Sequence, residues 1–432
     1  MSAAPPGVGV RPVSVRLPAT AWAVVLAGVS ASLHLGKLPP AIPALQATLG
    51  IGWVEAGFML SLVQVAGMTL GIGVGLAADA IGLRRSMLIG LTVLGVASLL
   101  GGLVGFFAGG GRAAVNALLV LRAFEGAGFL LAVMPAPGLI RALAPPGTEK
   151  KAMGLWGAYM PLGVALALLF GPLLIAAVGW PGWWCLLALV SLAAAVWLAV
   201  GVPSDVRRLA GQSPQPQHRS APTPWVDRLR QTVQAPGPWR VAMGFAVYAA
   251  QWIAVIGFLP AIYAGAGVPV GWGAVLTACA AATNILGNLV GGWLLQRGVP
   301  VDRLLRWGFV AMALGSIAAF AQWGQGSEAI GLPPALRYLA VCVFSLAGGV
   351  IPATLFSLAV RLAPGPSTVS TTVGLVQQAS ALGQFVAPPA VAWLAHRVGG
   401  WHWTWGVTVG CSLIGVVLAA GLARQSALRE TA

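Results

Sequence analysis

The feature that most limits this chain is a succession of apolar segments, each long enough for one particular job. A helix rising 1.5 Å per residue needs about 20 residues to cross ~30 Å of hydrocarbon. Twelve such segments are predicted, at 19–38, 54–77, 86–108, 114–140, 152–177, 182–202, 241–264, 272–295, 304–323, 336–360, 369–395 and 402–423. Only 8% of the 432 residues are charged, against roughly 25% in an average soluble domain. That excludes a water-soluble globular fold, and a hydrophobic content of 58% excludes disorder. The first segment is long and no small-residue cleavage site precedes an exported domain, so it is read as a membrane helix and not a signal peptide. The expected fold is all-α and integral to a membrane.

One long polar stretch interrupts the pattern. Residues 204–239 carry Ser213-Pro214-Gln215-Pro216-Gln217 and further prolines at 222, 224, 236 and 238. They read as a linker, with a short amphipathic piece at Trp225 to Val233 on the membrane surface. The expected organisation is a six-helix half over 1–203, this linker, a second half over 240–423 and a tail over 424–432. A shift of 220 places Arg141 on Arg361, Leu162-Gly163 on Leu382-Gly383, Trp183 on Trp403, Pro40-Ala41-Ile42 on Pro260-Ala261-Ile262, and Gly67 and Gly71 on Gly287 and Gly291. Single coincidences mean little in so Ala- and Gly-rich a chain; a register shared by five helices of each half carries weight. Two parallel six-helix repeats with a substrate site between them at mid-depth describe one large class of transporters.

The formal charge of +15 would suggest nucleic acid in a soluble protein. With the amino terminus placed in the cytoplasm, however, 19 of the 24 basic residues fall inside. Outside fall Lys37, Arg112, Arg337 and Arg397, and Arg122 lies within the membrane. The excess therefore sets topology by the positive-inside rule, with both termini cytoplasmic and no nucleic-acid partner. Cys185, Cys279, Cys342 and Cys411 lie far apart in apolar stretches, suggesting neither a metal site nor a disulfide framework.

Between the second and third segments the chain reads Gly75-Leu76-Ala77-Ala78-Asp79-Ala80-Ile81-Gly82-Leu83-Arg84-Arg85. The turn at Gly82 aims Arg84 and Arg85 at neighbouring helix ends. In the fourth segment stand Arg122-Ala123-Phe124-Glu125-Gly126. These stretches resemble the major facilitator superfamily, whose loop signature is Gly-x-Leu-Ala-Asp-Arg-x-Gly-Arg-Arg/Lys and whose fourth helix carries Arg-x-x-x-Gly. Gly75, Asp79, Gly82 and Arg84 match; Ala80 and Leu83 replace basic residues. The resemblance implies two pseudo-symmetric six-helix bundles and an ionic latch at Gly75, Asp79, Gly82, Arg84 and Arg85, made here with fewer charges. Gly171-Pro172 resembles the family's antiporter motif, but Ala167, Ile175 and Ala176 replace three of its glycines, which counts against efflux. Leu38-Pro39-Pro40-Ala41-Ile42-Pro43, Ala56-Gly57 and Phe258-Leu259-Pro260 resemble the cyanate and nitroimidazole permease-like branch.

A charge at the bilayer centre costs roughly 2.5 to 3.5 kcal/mol on insertion scales, so Arg122 and Glu125 are the first candidates for a site. Spaced three apart they share a helix face. Either they neutralise each other and pack, or Glu125 titrates while Arg122 tunes it or binds an anion. His34 and Lys37 form a second i,i+3 pair near the outer end of the first segment. Lys37 is expected first to snorkel to outer headgroups; attraction of an anionic substrate is the second reading. Gln64 and Asn284 are register twins, and with Asn288, Gln377, Gln378, Tyr159 and Gln251 they are candidates to line the cavity, each also able to tie helices together. Trp180, Trp183, Trp184, Trp401, Trp403 and Trp405 read as an interfacial belt.

The expectation is a monomeric secondary transporter of the bacterial inner membrane that moves a small, anionic organic solute by alternating access, driven by protons or another ion. No Gly-x-x-x-x-Gly-Lys-Ser/Thr stretch occurs, which disfavours an ATP-driven pump, and no cofactor is expected. A drug-efflux antiporter is the alternative; a membrane-embedded enzyme or a channel ranks below both. Nine acids scattered along the chain do not build an enzyme site.

Overall fold

The computed structural model describes residues 18–107, 111–145, 156–204, 224–322, 330–365 and 368–430, without the side chains of 72, 75–80, 141, 360, 369–370 and 423–430. Among them the secondary structure is helical; ten helices, with the run Tyr159–Gly201 counted once, are long and apolar enough to cross a membrane, and the more polar Val369–Val398 is also long enough. The first half contains α1 (Ala19–Gly36), α2 (53–81), α3 (Leu83–Phe107) and α4 (Arg112–Val133). A single run, Tyr159–Gly201, supplies two crossings, because Gly179 breaks it with φ 71° and ψ 169°. Pro181 follows at once. The part before the break is α5 and the part after it α6. The second half contains α7 (Pro236–Gly265), α8 (Val270–Gln296), α9 (Val301–Phe320), α10 (Pro334–Leu362), α11 (Val369–Val398) and α12 (Thr404–Glu430). Of these helices α11 is rich in polar side chains, with Thr371, Thr372, Gln377, Gln378, Ser380 and Gln384. Two of these, Gln378 and Gln384, hydrogen-bond to α2.

Several boundaries differ from the apolar pattern, each for a local reason. Past Gly36 the first crossing continues through a 3-10 turn, Pro39–Ala41, into a short helix, Ile42–Leu49. Two prolines without N–H groups stop α1 but can begin a new helix, and Gly50, at φ 66°, ends it. A 3-10 turn, Leu62–Gln64, interrupts α2, and a bend at Met134-Pro135 separates α4 from Ala136–Leu143. Within the linker, residues 205–223 lie outside the described residues. Trp225–Gln234 is a helix with Trp225, Val226 and Val233 exposed on it, as the amphipathic pattern predicts. Beyond 423 the chain is still helical, to Glu430, where a tail was expected.

The two halves meet along α2–α11 and where the run Tyr159–Gly201 packs against α8. Glycines set the first seam: a Cβ on Gly57 would lie 3.0 Å from Pro389, on Gly67 2.8 Å from Ala381 and on Gly71 2.6 Å from Gln378. The register twins Gly287 and Gly291 instead bring α8 against α10 of its own half, with a Cβ on Gly287 falling 1.9 Å from the Leu346 carbonyl oxygen. At the end opposite the start of α1, Trp401 packs against Trp53 (ring centroids 5.5 Å apart) and Phe258 (4.8 Å). Those rings join Leu38, Ile42 and Leu60 in an apolar cluster that binds the halves together there.

The tryptophan belt requires correction. Trp403 is exposed, but Trp180, Trp183 and Trp184 are buried. The break at Gly179 turns these three inward, where their indole N–H groups find partners: Trp180 donates to Thr48 and Trp183 to the Lys37 carbonyl. Trp401 serves the seam.

The glycine contacts give a stability prediction. Gly287→Ala should lower the apparent unfolding temperature of the purified protein, at a cost of about 1–3 kcal/mol for overpacking. Gly292→Ala, with nothing within 4 Å of its Cβ, should be neutral or stabilising. Equal effects from the two substitutions would refute the close α8–α10 approach.

Candidate functional site

The end of α1 assembles the site. Pro39 and Pro40 halt the helix, and its last carbonyls lose their helical partners. Gly36 lets α5 approach, since a Cβ there would stand 2.9 Å from Val164 backbone atoms. Arg122 on α4 donates from Nη1 to the freed His34 carbonyl (2.9 Å) and from Nε to the Met59 carbonyl on α2 (3.1 Å). A cation at a helix C-terminus is favourably placed. One turn on, Glu125 accepts from Arg122 Nη1 at 2.5 Å, as the i,i+3 spacing predicts.

The other carboxylate oxygen of Glu125 accepts from Lys37. Lys37 is fully buried, so the expectation that it snorkels to outer headgroups is overturned. Its Nζ also donates to Ser98 of α3 (2.9 Å), lies 3.5 Å from His34 Nδ1 and sits 4.5 Å above the ring of Trp184 on α6. Ser98 donates onward to the Trp184 carbonyl, and His34 Nε2 pairs with Ser191 of α6 at 2.8 Å. Two cations and one carboxylate, none more than 2% exposed, are thus enclosed by α1, α3, α4 and α6. Arg122 Nη2 is buried without a partner among the described residues. Such an arrangement can hold a proton, or present positive charge to an anion.

The corresponding region of the second half is neutral. Ser345, the 220-register twin of Glu125, accepts from Trp252 Nε1 through its hydroxyl (3.2 Å) and from Asn284 through its carbonyl (3.0 Å). Asn284 also donates to the Tyr248 hydroxyl and accepts from Asn288. In the position of Lys37 stands Gly257. Asn284 and Asn288 are therefore brought together, but within their own half and away from Arg122 and Glu125.

The remaining candidates disperse. Gln64 donates to Gln384 across the α2–α11 seam at 3.1 Å, and Gln378 to the Thr69 carbonyl at 3.4 Å. Half-buried Gln377 adjoins them in sequence. Fully buried Gln251 ties α7 to α12 through Ser412. Tyr159 stacks on Trp156, ring centroids 4.0 Å apart, and its carbonyl accepts from Ser32. Gly82 makes its turn with φ 99°, and Arg84 donates to the Ala199 carbonyl near the end of α6. The side chain of Asp79, and Gly75 as a packing position, fall outside the described residues. Sequence reading missed Ser98, Trp184, Ser191, Ser345 and Gln384. Only Gln384, seven residues after Gln377 on a polar helix face, carried a signal.

Removing Glu125 would leave two buried cations without their anion. Glu125→Gln should therefore destabilise the purified protein by about 3–5 kcal/mol, the cost of breaking a buried pair. Thermal unfolding reads this directly, and an unchanged midpoint would show that the carboxylate is not paired.

With the geometry described, the chain was compared with known proteins. The family model of the Major Facilitator Superfamily matches residues 20–365. The puromycin resistance protein pur8 of Streptomyces alboniger is 36% identical over 149 residues, 34% of this chain and 27% of that protein. The tetracenomycin C resistance and export protein of Streptomyces glaucescens is 30% identical over 182 residues, 41% of this chain and 31% of that one. The matches thus span less than a third of the length of these relatives. Crystal structures of a bacterial homologue of the human lysosomal transporter Spinster share the fold. The inward-facing, unoccupied form has a TM-score of 0.72 at 16% identity, covering 95% of both chains. The inward-facing, occupied form has a TM-score of 0.70 at 17% identity, covering 94% of this chain and 96% of that one.

Proposed function

Because the chain belongs to the Major Facilitator Superfamily, and is on that ground a membrane transporter and not an enzyme, we propose that it is a secondary transporter moving a small anionic organic solute with coupling to protons. The observation that carries this reading is the enclosed Lys37–Glu125–Arg122 group. A bilayer-depth carboxylate between two cations is costly to bury and is rarely kept for packing alone. With one cation in excess and Arg122 Nη2 unsatisfied among the described residues, the first half presents positive charge to an anion. Alternating access then consists of the halves 1–203 and 240–423 rocking about α2–α11 and the contact of the run Tyr159–Gly201 with α8. The protein works as a monomer in the bacterial inner membrane with both termini cytoplasmic.

Export is the second reading, favoured by the two resistance proteins among the relatives. It uses the same charged group with the opposite direction of solute flow.

Proteoliposomes with an imposed pH gradient test both. Labelled cyanate and short carboxylic acids probe the first reading, and puromycin the second. The expected result is gradient-driven movement of an anion that Glu125→Gln abolishes. Movement of puromycin alone would favour export, whereas transport indifferent to the gradient and unchanged in Glu125→Gln would end the proton-coupled reading.

A further inference from the structure

We infer that the proton exchanged by the buried group is carried by Lys37, with His34 as its relay, while the Arg122–Glu125 ion pair stays made. The inference rests on the proton-coupled reading and deepens it.

Charge counting separates the candidates. With Lys37 and Arg122 charged, Glu125 ionised and His34 neutral, the group carries one net positive charge, wholly buried. Arginine does not give up its proton in proteins. Protonating Glu125 would leave two cations facing each other with no anion, which is the most costly arrangement available. Protonating His34, beside Lys37 and near Arg122, would likewise raise the charge to two. Releasing a proton from Lys37 brings the group to neutrality and leaves the Arg122–Glu125 pair intact. Lysine, unlike arginine, readily takes its neutral form when buried.

The hydrogen bonds survive the exchange. The ammonium has three N–H bonds and three neighbours able to accept: Glu125, Ser98 and His34 Nδ1. In that state His34 Nε2–H donates to Ser191. On release, one Nζ–H bond breaks with its electron pair staying on nitrogen and Nδ1–H forms, while the Nε2 proton passes to Ser191 Oγ and that hydroxyl gives up its own proton, which leaves for bulk water. The product is a neutral amine and the other neutral tautomer of His34. Nδ1–H then donates back to the Nζ lone pair, Ser191 donates to Nε2, and the amine keeps its bonds to Glu125 and Ser98. Every partner stays in place while one proton leaves. The other groups facing Lys37 are Trp184 and Ser98, which do not titrate in this range, and the Cys185 thiol on α6.

The sequence makes a direct test practical, because the chain has only three lysines, Lys37, Lys150 and Lys151. Lys150→Arg with Lys151→Arg leaves Lys37 as the sole lysine and the buried group untouched. In that chain, labelled with 15N at lysine Nζ and reconstituted in phosphatidylethanolamine–phosphatidylglycerol liposomes, solid-state NMR reports the state of Nζ. The signal should pass from the ammonium to the amine position within the pH range over which the reconstituted protein stays folded. Glu125→Gln in the same background should move that transition to lower pH, because loss of the contacting opposite charge disfavours the ammonium. An Nζ that stays ammonium across the range would overturn the inference, as would a transition indifferent to Glu125→Gln. This measurement needs no solute, so its failure is distinct from a failure of the gradient experiment.

Discussion

The carboxylate of Glu125, held between Lys37 and Arg122, is the interaction on which the first half depends. Its two oxygens link α4 to itself through Arg122 and to the end of α1 through Lys37. Through the same two cations the contact extends to α2 at Met59 and to α3 at Ser98. Trp184 and Ser191 bring in α6. A hydrocarbon-embedded bundle gains little from apolar burial between helices, so polar contacts of this sort and close small-residue packing hold it together. The first half has both: Gly126 rests on the Val63 carbonyl only one residue from the paired carboxylate.

The second half solves the same problem without charge. Ser345, Trp252, Tyr248, Asn284 and Asn288 form a neutral network where the first half has its ions, and Gly287 and Gly349 draw α8 and α10 together. The buried ions of this layer thus lie in the first half, while the α2–α11 seam between the halves is built from amides and glycines. A seam of that composition can part and re-form without stranding a buried charge. The apolar closure by Trp53, Phe258 and Trp401 is likewise free of ions.

Much of the fold was legible because bilayer thickness imposes a length on every crossing segment, and all twelve predicted segments are helical where described. The Arg122–Glu125 pair was legible too, since i,i+3 spacing on one helix is local geometry. Lys37 was misread for a physical reason: a lysine followed by two prolines at the end of an apolar run looks interfacial unless one knows that Glu125 and Ser98 lie against it. The same blindness affected Trp180, Trp183 and Trp184, which a single positive-φ glycine turns from lipid toward the core. Ser98 and Ser191 bear no mark at all in the sequence. Their importance comes from which helices touch, and hydropathy does not encode that. Gln251 and Asn284 illustrate the converse, amides that looked like cavity candidates and serve as ties between helices.

The central claim, that Lys37 and Glu125 form one buried ionic unit, is tested most directly by a double-mutant cycle on thermal unfolding. Lys37→Met, Glu125→Gln and the pair together would be compared with the unsubstituted chain. Contacting groups in one network should give a coupling energy of about 0.5–3 kcal/mol, the double substitution costing clearly less than the two single ones combined. Simple additivity of the two single effects would contradict the account, because it would mean that the lysine and the carboxylate do not sense each other.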